Sequence, residues 1–193
     1  MSDLQSLLKD LASGDEPRAE KAVPALIELG EDAIPALLDL TRSTDEDARW
    51  WALRTLAQSP LARTEWLLPF LNDPTPEMRQ CAVLGLAHLG KPDESATPQL
   101  VQALSDEDAL VGNLAVKALI NIGKPAVPSL IEKVKSAPQS ARILALRALV
   151  EIRDPRAIPV MMQVMEEDSA LLQHWAKEGL EKLGLDMVYM KPE

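Results

Sequence analysis

The sequence predicts an all-α protein: a right-handed α-α superhelix of about five to six stacked helix pairs behind an N-terminal capping helix. Three observations predict it. An Ala anchor returns at Ala22, Ala52, Ala82, Ala115, Ala145 and Ala176, at spacings of 30, 30, 33, 30 and 31 residues. Four residues after each anchor stands a leucine, Leu26, Leu56, Leu86, Leu119, Leu149 and Leu180. The composition is 47% hydrophobic but only 3% aromatic, so the core is aliphatic and its Ala and Leu favour helix. A fixed period of this length is the mark of a repeat array, in which no single unit buries its apolar face alone.

Each anchor centres a first helix. Anchor, plus three, plus four and plus seven share one helical face. Plus three is small: Ala25, Thr55, Gly85, Ala118, Ala148 and Gly179. A neighbouring helix can then approach closely. Plus seven is Leu29, Leu89, Ile122, Ile152 and Leu183, with Ser59 the exception. Plus eight is Gly30, Gly90, Gly123 and Gly184, a helix stop. A second helix follows each of the first five. Pro35, Pro98, Pro128 and Pro159 mark its first turn, where a missing N–H costs nothing. Paired apolar residues come two positions on: Leu37-Leu38, Leu100-Val101, Leu130-Ile131 and Met161-Met162. In the second repeat Glu65 replaces the proline, Leu67-Leu68 keep register, and Pro69 should kink the helix.

One repeat domain is expected over 1–193. Residues 1–14 hold the capping helix, built on Leu4, Leu7, Leu8 and Leu11 within 3–12. Helix pairs follow at 15–44, 45–72, 73–105, 106–137 and 138–166. A last helix lies within 167–185, at about 171–184, and 186–193 is a tail. Acidic or Pro-bearing turns (STDED, NDPTPE, SDEDA, SAPQS) separate the pairs.

The segments DEPRAEKAVPALIELGEDAIPALLDL and DEDALVGNLAVKALINIGKPAVPSLIEKV resemble HEAT repeats. They are most similar to the short HEAT-like variety named after the phycobiliprotein (bilin) lyases, over roughly residues 15–185. The resemblance implies an armadillo-like α-solenoid that serves as a protein-binding scaffold. It also implies an alternative: lyase members of the family attach or detach bilin chromophores. No residue constellation in this chain carries that chemistry over.

Two adjacent tryptophans, Trp50 and Trp51, fall on different rows. Position minus two lies about 160° from the anchor. It holds Glu20, Trp50, Gln80, Asn113, Ile143 and His174, so it should face solvent on the convex side. Trp50 is then either partly buried against Arg54 by a cation–π contact or a convex contact for a partner. Position minus one holds Lys21, Trp51, Cys81, Leu114, Leu144 and Trp175, which places Trp51 and Trp175 between repeats.

Second helices line the inner face of such arrays. Positions plus one (Ala36, Trp66, Gln99, Ser129, Val160) and plus four (Asp39, Pro69, Gln102, Glu132, Gln163) point away from the core. They predict a mild, slightly acidic concave groove. Its partner-binding candidates are Trp66, Asp39, Gln99, Gln102, Glu132 and Gln163, with Trp66 the hot spot. The competing reading folds Trp66 into a local cluster with Phe70.

Charge and chemistry narrow the function. Twenty Lys+Arg against 30 Asp+Glu leave a net charge of −10, which repels phosphate backbones and argues against nucleic acid. No apolar run reaches the roughly 20 residues that span a bilayer. The N-terminus lacks the features of a signal peptide, so a cytoplasmic protein is expected. Cys81 stands alone and reads as an inert buried thiol. His88 and His174 lie far apart, and His88 suits a helix C-terminus. The Asp45-Glu46-Asp47 and Asp106-Glu107-Asp108 runs read as helix caps rather than cation sites. Met161, Met162 and Met165 read as core filler. The expectation is therefore a non-catalytic adaptor, not an enzyme, without catalytic residues, metal or cofactor. It would hold another protein along the concave face, as a monomer or through weak self-association at an incompletely capped end. The alternative is a bilin lyase, or a phycobilisome-degradation or chaperone-type tetrapyrrole-handling protein.

Overall fold

A computed structural model describes residues 3–167 and 169–185. All regular structure among them is helical, as twelve α-helices joined by turns and short 3-10 segments. The chain divides into two compact units, Met1–Leu89 and Gly90–Glu193.

The first unit holds α1 (Leu4–Leu11), α2 (Glu16–Glu28), α3 (Ile34–Leu40), α4 (Glu46–Gln58), α5 (Thr64–Leu67) and α6 (Pro76–His88). The first helices α2, α4 and α6 pack in sequence, and α1 covers α2 and α4. The second unit holds α7 (Thr97–Ala103), α8 (Ala109–Ile122), α9 (Val127–Ser136), α10 (Gln139–Ile152), α11 (Ile158–Met165) and α12 (Ala170–Lys182). Here α8, α10 and α12 pack in sequence, with α7, α9 and α11 against them. The expected tail, 186–193, lies outside the described residues.

The repeat register holds throughout. All six anchor alanines are buried, and the leucines four residues on are exposed by no more than 1%. Small residues at plus three answer a steric need. A Cβ on Gly85 would stand 2.8 Å from the Ala57 Cβ and 2.8 Å from a Leu67 methyl. Acids start three of the first helices. The Asp15, Asp45 and Asp108 carboxylates accept backbone N–H bonds from Arg18 (3.0 Å), Ala48 (3.1 Å) and Leu110 (2.8 Å). This satisfies donors that the helix itself leaves free.

The stop at plus eight is a left-handed turn. Gly30, Gly90, Gly123 and Gly184 have φ of 61°, 71°, 77° and 82°. The fifth copy places Arg153 at this position, in the same conformation at φ 55°. It is the non-glycine residue with positive φ among those described. A Cβ in this region is strained. Arg153→Gly is therefore expected to raise the unfolding free energy by roughly 0.5–1 kcal/mol, read by urea denaturation.

The second unit departs from plain repeat packing at Asp154, which is 5% exposed. Its carboxylate accepts from the Arg156 guanidinium at 2.9 Å and from the Arg156 backbone N–H at 3.0 Å. The same guanidinium donates to the Lys124 carbonyl at 2.8 Å, tying the turns of two repeats together. The Arg156 side chain, then its backbone N–H, hold the Asp154 carboxyl down at about 2. The unfolded chain takes up this proton first, so the stabilisation is full above about pH 4 and is lost as pH falls towards 2. The stability gap between wild type and Asp154→Asn should close over that interval in urea melts at pH 5, 3 and 2.

The turn after the first helix of the second repeat, in the first unit, differs as its prolines require. Pro60 occupies plus eight, and the residue before it is extended, with Ser59 at φ −66° and ψ 138°. Pro69 ends α5 after four residues, and the chain continues as a 3-10 segment over Leu68–Asn72. The expected kink is thus a change of helix type.

Candidate functional site

The candidate residues fall on two kinds of surface within each unit. On the outer side of the first helices, an arginine at plus two stacks on tryptophan and reaches back to the preceding helix. In α4 the Arg54 guanidinium lies 5.1 Å from the Trp50 ring and 5.0 Å from the Trp51 ring. It also faces the Glu20 carboxylate at 3.8 Å. The two rings meet edge to face at 4.9 Å. Trp51 is 7% exposed, and Trp50 is half-buried beside the same apolar cluster. Of the two readings of Trp50, its geometry matches the cation–π contact with Arg54. In α10, Arg147 donates to Asn113 of α8 at 2.9 Å and stacks over Trp175 of α12 at 5.6 Å. This link between three repeats was missed in the sequence. Its trace is the recurrence of Arg at plus two with Trp at minus one.

The second helices carry the groove candidates. Trp66 in α5 is half-buried against the cluster of Leu7, Leu11, Leu26 and Leu37, and the Arg63 guanidinium stands 5.3 Å over its ring. Arg63 is exposed and 3.7 Å from Glu65. Asp39 is exposed and 3.6 Å from Arg42. In the second unit Gln102, Glu132 and Gln163 are exposed, Glu132 pairing with Lys135 at 2.9 Å. The plus-four row therefore points to solvent. The plus-one row does not: Ala36, Trp66, Gln99 and Ser129 are half-buried, and Val160 is only 4% exposed. α11 packs against both α12 and α9, so more of it is covered than one apolar stripe. Met162, expected in the core, is 41% exposed.

Two concavities mark the first unit. One of about 480 Å³ is lined by Ala57, Gln58, Ser59, Pro60, Ala62, His88 and Leu89. It opens where Ser59 stands in place of the leucine or isoleucine of the other repeats. The other, of about 280 Å³, is lined by Glu46, Asp47, Arg49, Trp50, Thr75, Glu77 and Met78. Arg49 there is held by Asp73 at 2.9 Å. Cys81 is half-buried, and burial pushes its thiol up to about 12 against the opposing charge of Arg54. A thiol held that high stays protonated and unreactive near neutral pH. No group of three or more His, Cys, Asp or Glu side chains converges among the described residues. No single helix among them is long and apolar enough to cross a membrane.

The repeat geometry matches known families. Residues 64–136 match the model of HEAT repeats, and residues 141–167 match the PBS lyase HEAT-like repeat. The chain carries HEAT repeats over these residues. The chain is similar to the phycocyanobilin lyase subunit beta of Nostoc sp. (strain PCC 7120), 34% identical over 110 residues, 56% of this chain and 54% of that protein. It is similar also to the bilin biosynthesis protein RpcF of Synechococcus sp. (strain WH8020), 33% identical over 91 residues, 47% of this chain and 44% of that protein. The chain spans about half the length of these curated relatives. Among solved structures, the complex of CpcE and CpcF of phycocyanin lyase from Nostoc sp. PCC7120 aligns with a TM-score of 0.57 at 25% identity. The alignment covers 75% of this chain and 96% of that one.

These likenesses correct two expectations. The reading of the HEAT-repeat chain as a non-catalytic adaptor, and with it the reading as a non-enzyme, is overturned by relatives that are lyase subunits. The physical reason for the error is plain. Almost every recurring position of the repeat serves packing or helix termination, so the repeat pattern reports the fold and is silent on chemistry.

Proposed function

We propose that the chain is a lyase-type subunit that handles a linear tetrapyrrole (bilin) and works with a protein partner. The observation that carries this reading is the alignment with the CpcE–CpcF lyase complex over 96% of the matched chain, with relatives named as phycocyanobilin lyase subunits in support. A bilin presents flat unsaturated rings and carboxylate side chains, so it calls for aromatic faces and cations. Trp66 and Arg63 offer that pair on the second-helix side of the first unit, at 5.3 Å from each other. In this reading the exposed residues Asp39, Gln102, Glu132 and Gln163, with half-buried Gln99, face the protein partner.

The test is an absorbance titration of phycocyanobilin with the purified chain. A shift in the bilin spectrum is expected. Trp66→Ala combined with Arg63→Glu should weaken it by about tenfold in Kd, the equivalent of one desolvated cation–π or stacking contact. No spectral change, together with no binding of a phycobiliprotein subunit, would end the reading.

A further inference from the structure

Five of the six copies of the repeat carry leucine or isoleucine at plus seven, followed by glycine or, once, Arg153. The second copy carries Ser59 and Pro60 instead, and the concavity of about 480 Å³ opens beside them. Ser59 is 8% exposed, and its hydroxyl oxygen accepts the Leu61 N–H at 3.1 Å. Pro60 has no N–H to give, and the Ala62 N–H goes to the Ser59 carbonyl at 3.0 Å. With these donors absent or taken, no donor among the described residues reaches the carbonyls of Ala57 and Gln58, the last two of α4.

The electrostatic setting is negative. Gln58 and His88 both line the concavity, so the C-terminal ends of α4 and α6 meet at it. The turn after α2 adjoins them, since a Cβ on Gly30 would lie 3.9 Å from a Leu61 methyl. Helix C-termini present the negative end of the peptide dipoles. Glu31 and Asp32 in the turn after α2 are exposed, and the first unit carries 8 Lys+Arg against 15 Asp+Glu. Arg63, next to Ala62 in sequence, is engaged with Glu65 at 3.7 Å and with the Trp66 ring. His88, when neutral, offers one accepting nitrogen. Pro60, Ala62 and Leu89 supply an apolar wall. A divalent metal ion would lack its ligands here, because no group of three or more His, Cys, Asp or Glu converges among the described residues.

We infer that this concavity binds a guanidinium group on a short carbon stem, carried by a free small cation or by an arginine of a partner protein. Guanidinium offers five N–H donors in a plane. They would meet the Ala57 and Gln58 carbonyls and the Ser59 hydroxyl oxygen, with the stem against Pro60 and Leu89. The volume falls in the range of small-ligand pockets, about 300–1,000 Å³. An anion is disfavoured, because the free carbonyls and helix ends repel it. The inference is independent of the bilin reading, which concerns Trp66 and Arg63.

The probe is butylguanidinium, titrated into the isotopically labelled full chain and followed by amide chemical shifts in NMR spectra. Butylurea, its neutral analogue, is the control. Saturable shifts at the Ser59, Leu61 and Ala62 amides are expected, half-complete at about 1 mM, weaker with added salt and absent with butylurea. Ser59→Leu, which restores the residue type of the other copies and fills the space, should raise Kd about tenfold or more. Gln58→Lys, on an exposed position, should raise it about tenfold through like charge. Thermal melts verify the fold, and Gln58→Lys decides alone if Ser59→Leu does not fold. A blocked tripeptide with arginine at its centre separates the two sources. Tighter binding than butylguanidinium assigns the site to a partner's arginine, and equal or weaker binding assigns it to a free small cation. Shifts that do not saturate, equal shifts with butylurea, or indifference to Gln58→Lys would overturn the inference.

Discussion

Leu119→Ala is expected to lower the unfolding free energy by about 2–5 kcal/mol, the range for a fully buried leucine truncation. Leu119 is 0% exposed, within a stripe that also buries Ala115, Ala118 and Ile122. Ordered neighbours on every side leave little room to collapse onto the lost methyls. Gln102→Ala, on an exposed position of α7, should cost under about 0.5 kcal/mol. Urea denaturation of the two variants measures the contrast. Equal losses would mean that the assigned register is wrong.

Trp51→Ala should be as severe, at about 3–5 kcal/mol. The ring is 7% exposed, packs with Ala52 and Leu56 in one apolar cluster, and lies 5.0 Å from the Arg54 guanidinium. Its loss opens a cavity and removes one of the two rings that hold Arg54. Trp50→Ala removes a half-buried ring at the edge of that cluster, so about 1 kcal/mol is expected. Thermal and urea melts of both single variants separate the neighbours. A larger loss at Trp50 than at Trp51 would reverse their roles.

Much of this was legible because the repeat constrains the same positions six times. The leucine row, the small residues at plus three and the glycine stops each follow from period and helical angle, and each stands where expected. Departures from the pattern have local consequences, of which only Ser59 was singled out in the sequence. Ser59 and Pro60 replace the apolar-Gly pair, and a concavity lies there. Arg153 replaces glycine, and takes the left-handed turn at a conformational cost.

What could not be read depended on contacts between repeats or beyond the chain. Val160 lies on the predicted outward row, yet α11 has neighbours on two sides. A single-helix periodicity counts only one buried face. The Asn113–Arg147–Trp175 link joins residues of three successive repeats, and no local spacing announces it. Function was the least legible. Packing residues dominate the repeat, and a subunit's chemistry can reside in groups that only a bound tetrapyrrole or a second protein brings together.

The most direct test of the lyase reading is covalent transfer. An apo-phycocyanin subunit and phycocyanobilin are incubated with the chain, alone and together with each subunit of the Nostoc CpcE–CpcF complex in turn. Bilin attached to protein is read as zinc-induced fluorescence on a denaturing gel. Attachment above the spontaneous level in at least one of these mixtures, dependent on this chain, is the predicted result. Attachment no greater with the chain than without it, in every mixture, would contradict the account.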